Sequence, residues 1–335
     1  RYKNKDILEI YDDLNASVRY YYGSTTDISS PKTYIKFEYT NGTTVKEIKE
    51  DDNCITVIYE TPIGQLIGKK GLGEWGCSWH YIEHPVKTIS DLKILEYVLK
   101  NTRVKFDYEF FKEAERKIGD RGVIQTYWER SPFQRLLLEY MGIEKAICAI
   151  FDYPERIKEY LKIAEEAEDE LYEVLEECPI RILNFGENID ARFDSPRFFN
   201  EYLVPYYSKR VTQLHKVGKF CHIHMDGALK PLLPYINDPG FDGIEAATPS
   251  PQGDVTLEEL KDALRDTILI DGIPMLLFLP NSTYEELEKF TSQLNSILEA
   301  FKILNEVDIS DAEPSFPISV LYSRGLLVVH AWAKG

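Results

Sequence analysis

Short apolar runs and longer amphipathic runs alternate along the second half of the chain. The short runs have the length of buried strands, and the long runs repeat their apolar residues at the spacing of a helix face. Strands separated by helices are typical of a parallel sheet, because each helix returns the chain to the start of the next strand. With one earlier apolar run, the predicted strands are Gly122–Tyr127, Ile180–Phe185, Lys219–Met225, Phe241–Ala246, Thr267–Asp271 and Phe301–Val307.

The first part of the chain has the pattern of an antiparallel sheet. The predicted strands Tyr34–Tyr39 and Thr43–Lys49 flank Asn41-Gly42, which is a strong hairpin signal. A further strand is predicted at Cys54–Glu60, and a helix is predicted near Ile7–Leu14. We therefore predict that the chain begins with a helix and a β-meander.

Polar residues stand at the carboxyl ends of successive predicted parallel strands, which is where a (β/α)8 barrel carries its active site. A doubly wound sheet is the alternative, but the Gly-rich phosphate loop after its first strand is missing from this sequence. The pattern therefore favours an α/β fold with a TIM-type (β/α)8 barrel. The predicted divisions are residues 1–86 for the N-terminal helix and β-meander, 87–309 for the barrel and 310–335 for an atypical C-terminal segment.

The stretch Phe220–Gly227 holds the most specific chemistry. Strand side chains alternate between faces, so His222, His224 and Asp226 share one face of the predicted strand. Polar groups on one face of an apolar strand cost free energy unless a partner satisfies them. A zinc ion would do so, because imidazole and carboxylate are ordinary zinc ligands. Neutral histidines that are hydrogen-bonded to their neighbours are the alternative.

Composition limits the partners of the protein. The 335 residues carry a formal net charge of -17, which argues against nucleic acids and anionic membranes as partners. No apolar run approaches the ~20 residues of a membrane span. The five cysteines are scattered and form no Cys-x-x-Cys pair, so we expect a reduced, cytoplasmic protein.

Several motifs resemble those of one known superfamily. They are His224–Gly227, Tyr59–Gly64, Arg130–Leu136, Leu229–Pro234 and Asp242–Glu245. These stretches resemble the uroporphyrinogen decarboxylase superfamily, which includes the cobamide-dependent methyltransferases and implies a (β/α)8 barrel. The Arg-rich N-terminal motif and the catalytic Asp of the decarboxylases have no match in this sequence, and no stretch is predicted as the first barrel strand. We therefore expect a barrel that lacks its first strand, and we favour the methyltransferase branch.

The methyltransferase branch binds zinc through a His-x-Cys pair, an acidic residue one strand later and a Cys near the C-terminal strand. Matched position by position, His224 takes the place of the His and Asp226 that of the first Cys. Glu245 matches the acidic residue, and Asp308 falls near the second Cys. Carboxylates in place of thiolates make a harder, more Lewis-acidic site, which suits an oxygen leaving group better than a thiol.

The resemblance therefore implies a zinc-dependent methyltransferase. Such an enzyme would move a methyl group from a small methylated substrate, such as a methoxylated aromatic, to the corrinoid carried by a partner protein. A uroporphyrinogen-type decarboxylase without metal and a non-catalytic relative are the alternatives. A homodimer is compatible with the sequence, and neither nucleic acid nor a membrane is expected as a partner.

The expected site residues fall into three groups. The expected catalytic residues are His222, His224 and Glu245, and the expected metal ligands are His224, Asp226, Glu245 and Asp308. The expected substrate-contacting residues each follow a predicted strand, and they are Trp128, Glu129, Glu187 and Asn188. Structural roles are the alternative: a satisfied core histidine for His222, an ion pair for Glu245, and helix capping for Glu187 and Asn188.

Overall fold

A computed structural model describes residues 5–14, 33–73, 79–265, 267–270, 272–279 and 281–299 of the protein. Its strands are β1 (Ile35–Tyr39), β2 (Thr44–Lys49), β3 (Cys54–Thr61), β4 (Gly64–Leu72), β5 (Trp79–Glu83), β6 (Thr102–Phe106), β7 (Gln125–Tyr127), β8 (Ile182–Phe185), β9 (Phe220–His224), β10 (Gly243–Glu245) and β11 (Ile268–Ile270). Its α-helices are α1 (Ile7–Leu14), α2 (Leu92–Lys100), α3 (Tyr108–Ile118), α4 (Pro132–Arg135), α5 (Ile143–Asp152), α6 (Pro154–Ala167), α7 (Asp169–Glu177), α8 (Pro196–Phe198), α9 (Val204–His215), α10 (Leu257–Leu264) and α11 (Tyr284–Glu299). Tighter 3-10 turns lie at Ile89–Asp91, Gly119–Arg121, Lys230–Tyr235 and Met275–Phe278, and wider π-helical turns lie at Leu136–Tyr140 and Phe199–Leu203.

The described residues belong to two compact units. The N-terminal unit lies within Arg19–Gly186 and Gln213–Lys219, and the C-terminal unit lies within Arg1–Val18, Glu187–Thr212 and Phe220–Gly335. The predicted division of the chain at residues 86 and 309 stays a prediction, because compactness by itself does not identify a part that folds alone.

The antiparallel part of the N-terminal unit is a meander in which β2, β3, β4 and β5 pair in chain order. The predicted hairpin between β1 and β2 is wrong, because β1 pairs with β6 instead. Aromatic packing explains the difference: the Tyr34 ring lies 4.9 Å from the Phe110 ring and 6.3 Å from the Phe106 ring, measured between centroids. The turn at Asn41-Gly42 does form, with φ angles of 51° and 73°, but it leads from one sheet to the other.

The N-terminal unit also contains a parallel pair, β7 and β8, with Thr126 opposite Leu183. Trp128 follows β7 directly and packs edge-on against Phe185, with ring centroids 4.8 Å apart. It also packs against Tyr172 of α7 at 6.1 Å. The side chains of β8 are buried throughout, as expected for a parallel strand that is covered on both faces.

The sheet of the C-terminal unit consists of parallel strands in the order β9, β10, β11. Glu245 of β10 lies opposite His224 of β9 and Ile270 of β11. The 3-10 turn Lys230–Tyr235 connects β9 to β10, and α10 connects β10 to β11. This is the strand–helix alternation that the sequence predicts.

The described part of the chain is therefore a mixed α/β structure with parallel strands and separate antiparallel sheets. Each strand from β7 to β11 lies within its predicted run and is shorter than predicted. The (β/α)8 barrel without its first strand stays a prediction, and the strand expected at Phe301–Val307 and the segment 310–335 lie outside the described residues. None of the described helices has the length and apolar character that a membrane crossing requires.

Candidate functional site

Two histidines and a glutamate meet in the C-terminal unit because β9 and β10 pair in parallel with His224 opposite Glu245. The Glu245 Oε2 atom lies 3.8 Å from His224 Nδ1. The same oxygen lies 3.6 Å from His222 Nδ1. Both imidazoles therefore face one carboxylate, in agreement with the period-two alternation of the strand.

Gly243 provides the space that this arrangement needs. It is the register partner of His222 on β9 and of Ile268 on β11. A Cβ atom at this position would lie 2.9 Å from Ile270 Cδ1 and 3.3 Å from His222 Cβ. The Gly243–Glu245 motif thus places a residue without a side chain opposite the buried His222 and a carboxylate opposite His224.

Asp226 follows β9 and contacts the opposite side of the His224 ring. Its Oδ2 atom lies 3.5 Å from His224 Nε2 and accepts a hydrogen bond of 3.1 Å from Asn188 Nδ2. The side chains of His224 and Asp226 are 27% and 42% exposed, whereas Glu245 is buried. We call His222, His224, Asp226 and Glu245 the histidine–carboxylate cluster, and its solvent-accessible side is formed by His224 and Asp226.

The segment 187–192 is joined to the loop after β9 at Gly227. The Gly227 N–H donates to the Ile189 carbonyl (3.1 Å), and the Ala191 N–H donates to the Ala228 carbonyl (2.8 Å). A Cβ atom on Gly227 would lie 2.3 Å from Asp190 Cβ and 2.6 Å from its Cα. Only glycine permits this approach, and the approach brings Asn188 next to the cluster.

The loop after β10 is attached to the same region through Asp254. Its carboxylate accepts hydrogen bonds from the N–H groups of Leu229 (2.7 Å) and Lys230 (3.1 Å). These groups stand at the start of the turn Lys230–Tyr235, where backbone donors have no partner within the turn. Lys230 also forms an ion pair of 2.7 Å with Glu259 on α10.

Two non-glycine residues with positive φ flank the cluster. Asn188 has a φ of 58°, and Ala246, which follows Glu245, has a φ of 62°. This conformation is uncommon for residues with a side chain and persists where the surrounding structure holds it. The Ala246 N–H donates to the Ile270 carbonyl (3.0 Å), which holds the backbone just beyond the glutamate.

The electrostatics of the cluster favour a protonated His224. Burial alone would lower the pKa of this imidazole, but Asp226 and Glu245 outweigh it and raise the pKa to about 9. Burial alone would raise the pKa of Asp226, and His224 and Asn188 hold it below its usual value. At neutral pH the arrangement is therefore an imidazolium between two carboxylates.

Two donor atoms of the cluster have the spacing of zinc ligands, and the third lies at the other nitrogen of the same ring. The 3.5 Å between His224 Nε2 and Asp226 Oδ2 is close to the distance between two ligands of a tetrahedral zinc ion, about 3.3 Å for bonds of ~2.0–2.1 Å. Glu245 faces the other nitrogen of the same ring. An imidazole binds one ion through one nitrogen, so Glu245 joins His224 and Asp226 on a single ion only after a side-chain rotation.

The remaining predicted site residues lie elsewhere or outside the described residues. Glu187 is buried in the C-terminal unit, one residue before Asn188. Trp128 and Glu129 belong to the N-terminal unit. Asp308 lies outside the described residues. The roles expected for these four residues stay predictions.

Glu129 takes part in a cluster of charges that the sequence analysis missed. Arg135 lies 2.5 Å from Glu129 and 3.3 Å from Glu139, and its guanidinium lies 4.8 Å from the centre of the Tyr140 ring. Arg130 lies 2.7 Å from Glu139. Burial raises the pKa of Glu129; for Glu139 burial acts in the same direction, but Arg135 and Arg130 outweigh it and lower the pKa. The one local signal was the four-residue spacing of Arg135 and Glu139 on a helix.

Comparisons with known proteins give limited similarity. A sequence profile of the family described as the Glu-tRNAGln amidotransferase C subunit matches residues 282–324, which is a small part of the chain. No curated protein matches the chain. Among solved structures, a methyltransferase from Methanosarcina mazei is similar with a TM-score of 0.48 and 14% identity. The alignment covers 68% of this chain and 66% of that one, just under two thirds of its length.

Replacing Gly227 with Ala should destabilise the protein, because the new methyl group overlaps the backbone of Asp190. We expect a loss of about 1–3 kcal/mol in the free energy of unfolding, measured by urea denaturation. Gly186→Ala is the control, since the nearest atom there belongs to the Tyr127 ring at 3.3 Å and can move. Equal stability of the two variants would contradict the role of Gly227.

The stability of the protein should depend on the protonation of His224. The pKa of this group is about 9 in the folded protein and 6.5 as its ordinary value, so its contribution is complete below pH 6.5 and is lost as the pH rises through 9. The free energy of unfolding of the wild type relative to His224→Gln should therefore decrease between those pH values, by at most ~3.4 kcal/mol. A difference that stays constant with pH would show that the two carboxylates do not hold a proton on this ring.

Proposed function

We propose that the protein is a metal-dependent methyltransferase and that the histidine–carboxylate cluster is its site. The observation that carries this proposal is the meeting of His224, Asp226 and Glu245 at the carboxyl ends of β9 and β10. This is the end of parallel strands at which α/β barrels place their chemistry. The motif around His224 is also the part of the sequence that most resembles the cobamide-dependent branch.

His224, Asp226 and Glu245 would hold the metal, together with Asp308 if that residue reaches the site. Zinc bound to nitrogen and oxygen ligands supplies a Lewis acid that polarises an oxygen atom. The substrate that fits this chemistry is a small molecule with a methoxy group, such as a methoxylated aromatic. The proposed acceptor of the methyl group is the corrinoid of a partner protein.

The residues of the cluster have distinct tasks in this proposal. Glu245 is buried and faces both imidazoles, and it would rotate to bind the metal beside His224 and Asp226. Asp226 and His224 form the accessible side, where substrate and metal arrive. His224 must lose its extra proton before it binds a metal, so the metal affinity should rise with pH up to about 9.

A metal-free decarboxylase of the uroporphyrinogen type and a non-catalytic relative are the competing functions. Elemental analysis of the purified protein separates them from the methyltransferase, because only the methyltransferase requires stoichiometric zinc. The cluster favours the metal enzyme, because His224 lies between two carboxylates, at 3.5 Å from Asp226 and 3.8 Å from Glu245.

Replacing His224 with Ala should abolish both zinc binding and methyl transfer. The assay combines the protein, zinc, a reduced corrinoid protein and a panel of methoxylated aromatics, and it measures methyl–cobalt formation. We expect a loss of zinc affinity of at least ~100-fold, since a direct ligand contributes no less than the groups that orient it. His80→Ala is the matched control, because His80 is exposed on β5 in the N-terminal unit.

Two results would contradict this function. One is stoichiometric zinc and full activity in His224→Ala. The other is a wild-type protein that forms no methyl–cobalt with any donor and any corrinoid protein of the panel.

A second, separate role is proposed for the C-terminal part of the chain. Residues 282–324 match the amidotransferase C subunit profile, and α11 begins in this segment with Tyr284, whose side chain is exposed. The preceding turn also exposes Met275 and Phe278. Large apolar side chains exposed in successive segments of the chain suit association with another chain. In this role the segment would bind to an amidotransferase as its C subunit does.

Complementation tests this second role. The full chain is added to a Glu-tRNAGln amidotransferase that lacks its C subunit, and amidation of Glu-tRNAGln is measured. We expect partial recovery that is weaker with Tyr284→Ser, because this change removes an exposed ring without affecting the buried core. No recovery with the wild-type chain would exclude the role.

A further inference from the structure

Asn188 and Asp226 come from different segments and meet through one hydrogen bond. Asn188 Nδ2 donates to Asp226 Oδ2 at 3.1 Å. The same oxygen faces His224 Nε2 at 3.5 Å. Asn188 therefore contacts the same oxygen of Asp226 that faces the ring of His224.

The position of Asn188 is set by the motif that contains Asp226. The neighbouring Ile189 is buried and its carbonyl accepts the Gly227 N–H at 3.1 Å. The next residue, Asp190, packs directly onto Gly227. These contacts hold the segment that follows Asn188 against the segment that follows Asp226. The side-chain amide of Asn188 therefore meets Asp226 at a defined place.

Asparagine is the residue type that satisfies both requirements at this position. The φ of 58° is a conformation that Asn and Gly adopt more readily than other residues. Glycine would accept the backbone but offers no donor to the carboxylate. Aspartate would also tolerate the backbone, but its carboxylate is an acceptor only and would repel Asp226.

We infer that Asn188 is a positioning residue that fixes the rotation of the Asp226 carboxylate, so that Oδ2 faces the ring of His224. This role differs from the substrate contact that the sequence suggests, because Asn188 acts through Asp226. The orientation itself is a property of the protein alone. Its consequence for metal affinity rests on the proposed function, since groups that orient a metal ligand commonly change affinity by about 10–100-fold.

The first experiment compares crystal structures of the metal-free wild type, Asn188→Gly and Asn188→Asp. Asn41→Gly is the matched control: Asn41 also has a positive φ, 51°, and also donates its amide to a side chain, Asn101 Oδ1 at 2.6 Å. In Asn188→Gly and Asn188→Asp we expect Asp226 Oδ2 to move away from His224 Nε2, beyond the reach of an ion pair at roughly 4 Å. Asn41→Gly should leave this distance unchanged. An Asp226 carboxylate that keeps its place in Asn188→Gly would overturn the inference.

The second experiment measures zinc affinity by competition with a chromophoric chelator, and the absorption spectrum of bound Co(II). Asn188→Gly should bind zinc about 10–100-fold more weakly than the wild type and shift the Co(II) bands, whereas Asn41→Gly should match the wild type. Equal affinities and spectra would overturn the role of Asn188 in metal binding. A wild-type protein that binds neither metal would instead refute the proposed function, and the crystal structures would still decide whether Asn188 orients Asp226.

Discussion

The parallel register of β9 and β10 is the constraint on which the site depends. It places Glu245 opposite His224 and Gly243 opposite His222, so one strand supplies the imidazoles and the next supplies a carboxylate and a glycine that allows close packing. A shift by one residue would exchange the faces of every side chain on β10 and move Glu245 away from both rings. The Gly243-Ile244-Glu245 sequence therefore forms the cluster only in this register.

The charges of the cluster favour a positive charge at the position of His224. Two carboxylates flank His224, and burial makes an unpaired carboxylate costly, so a positive charge between them is favoured. A proton on the imidazole provides that charge and raises the pKa to about 9. A metal ion would provide it as well, and the two compete because both need the same ring nitrogen.

The ionic cluster of the N-terminal unit follows different physics. Arg135 is the cation that Glu129 and Glu139 share, and Tyr140 covers its guanidinium. Removing the arginine would leave the partly buried Glu129 without this cation, which is more costly than the loss of a fully exposed ion pair. The neighbouring Arg130 supplies a second cation to Glu139. The ion pair with Arg135 therefore holds Glu129 within the N-terminal unit.

The sequence by itself determined where the parallel strands lie and which residue types form the cluster, because apolar runs and strand alternation are local properties of the chain. It did not determine the partner of β1, since ring packing around Tyr34 outweighed a good hairpin turn. Only the tertiary structure decided that Asn188 meets Asp226, because that contact needs Gly227 and Asp190, which are distant in sequence, to lie within touching distance.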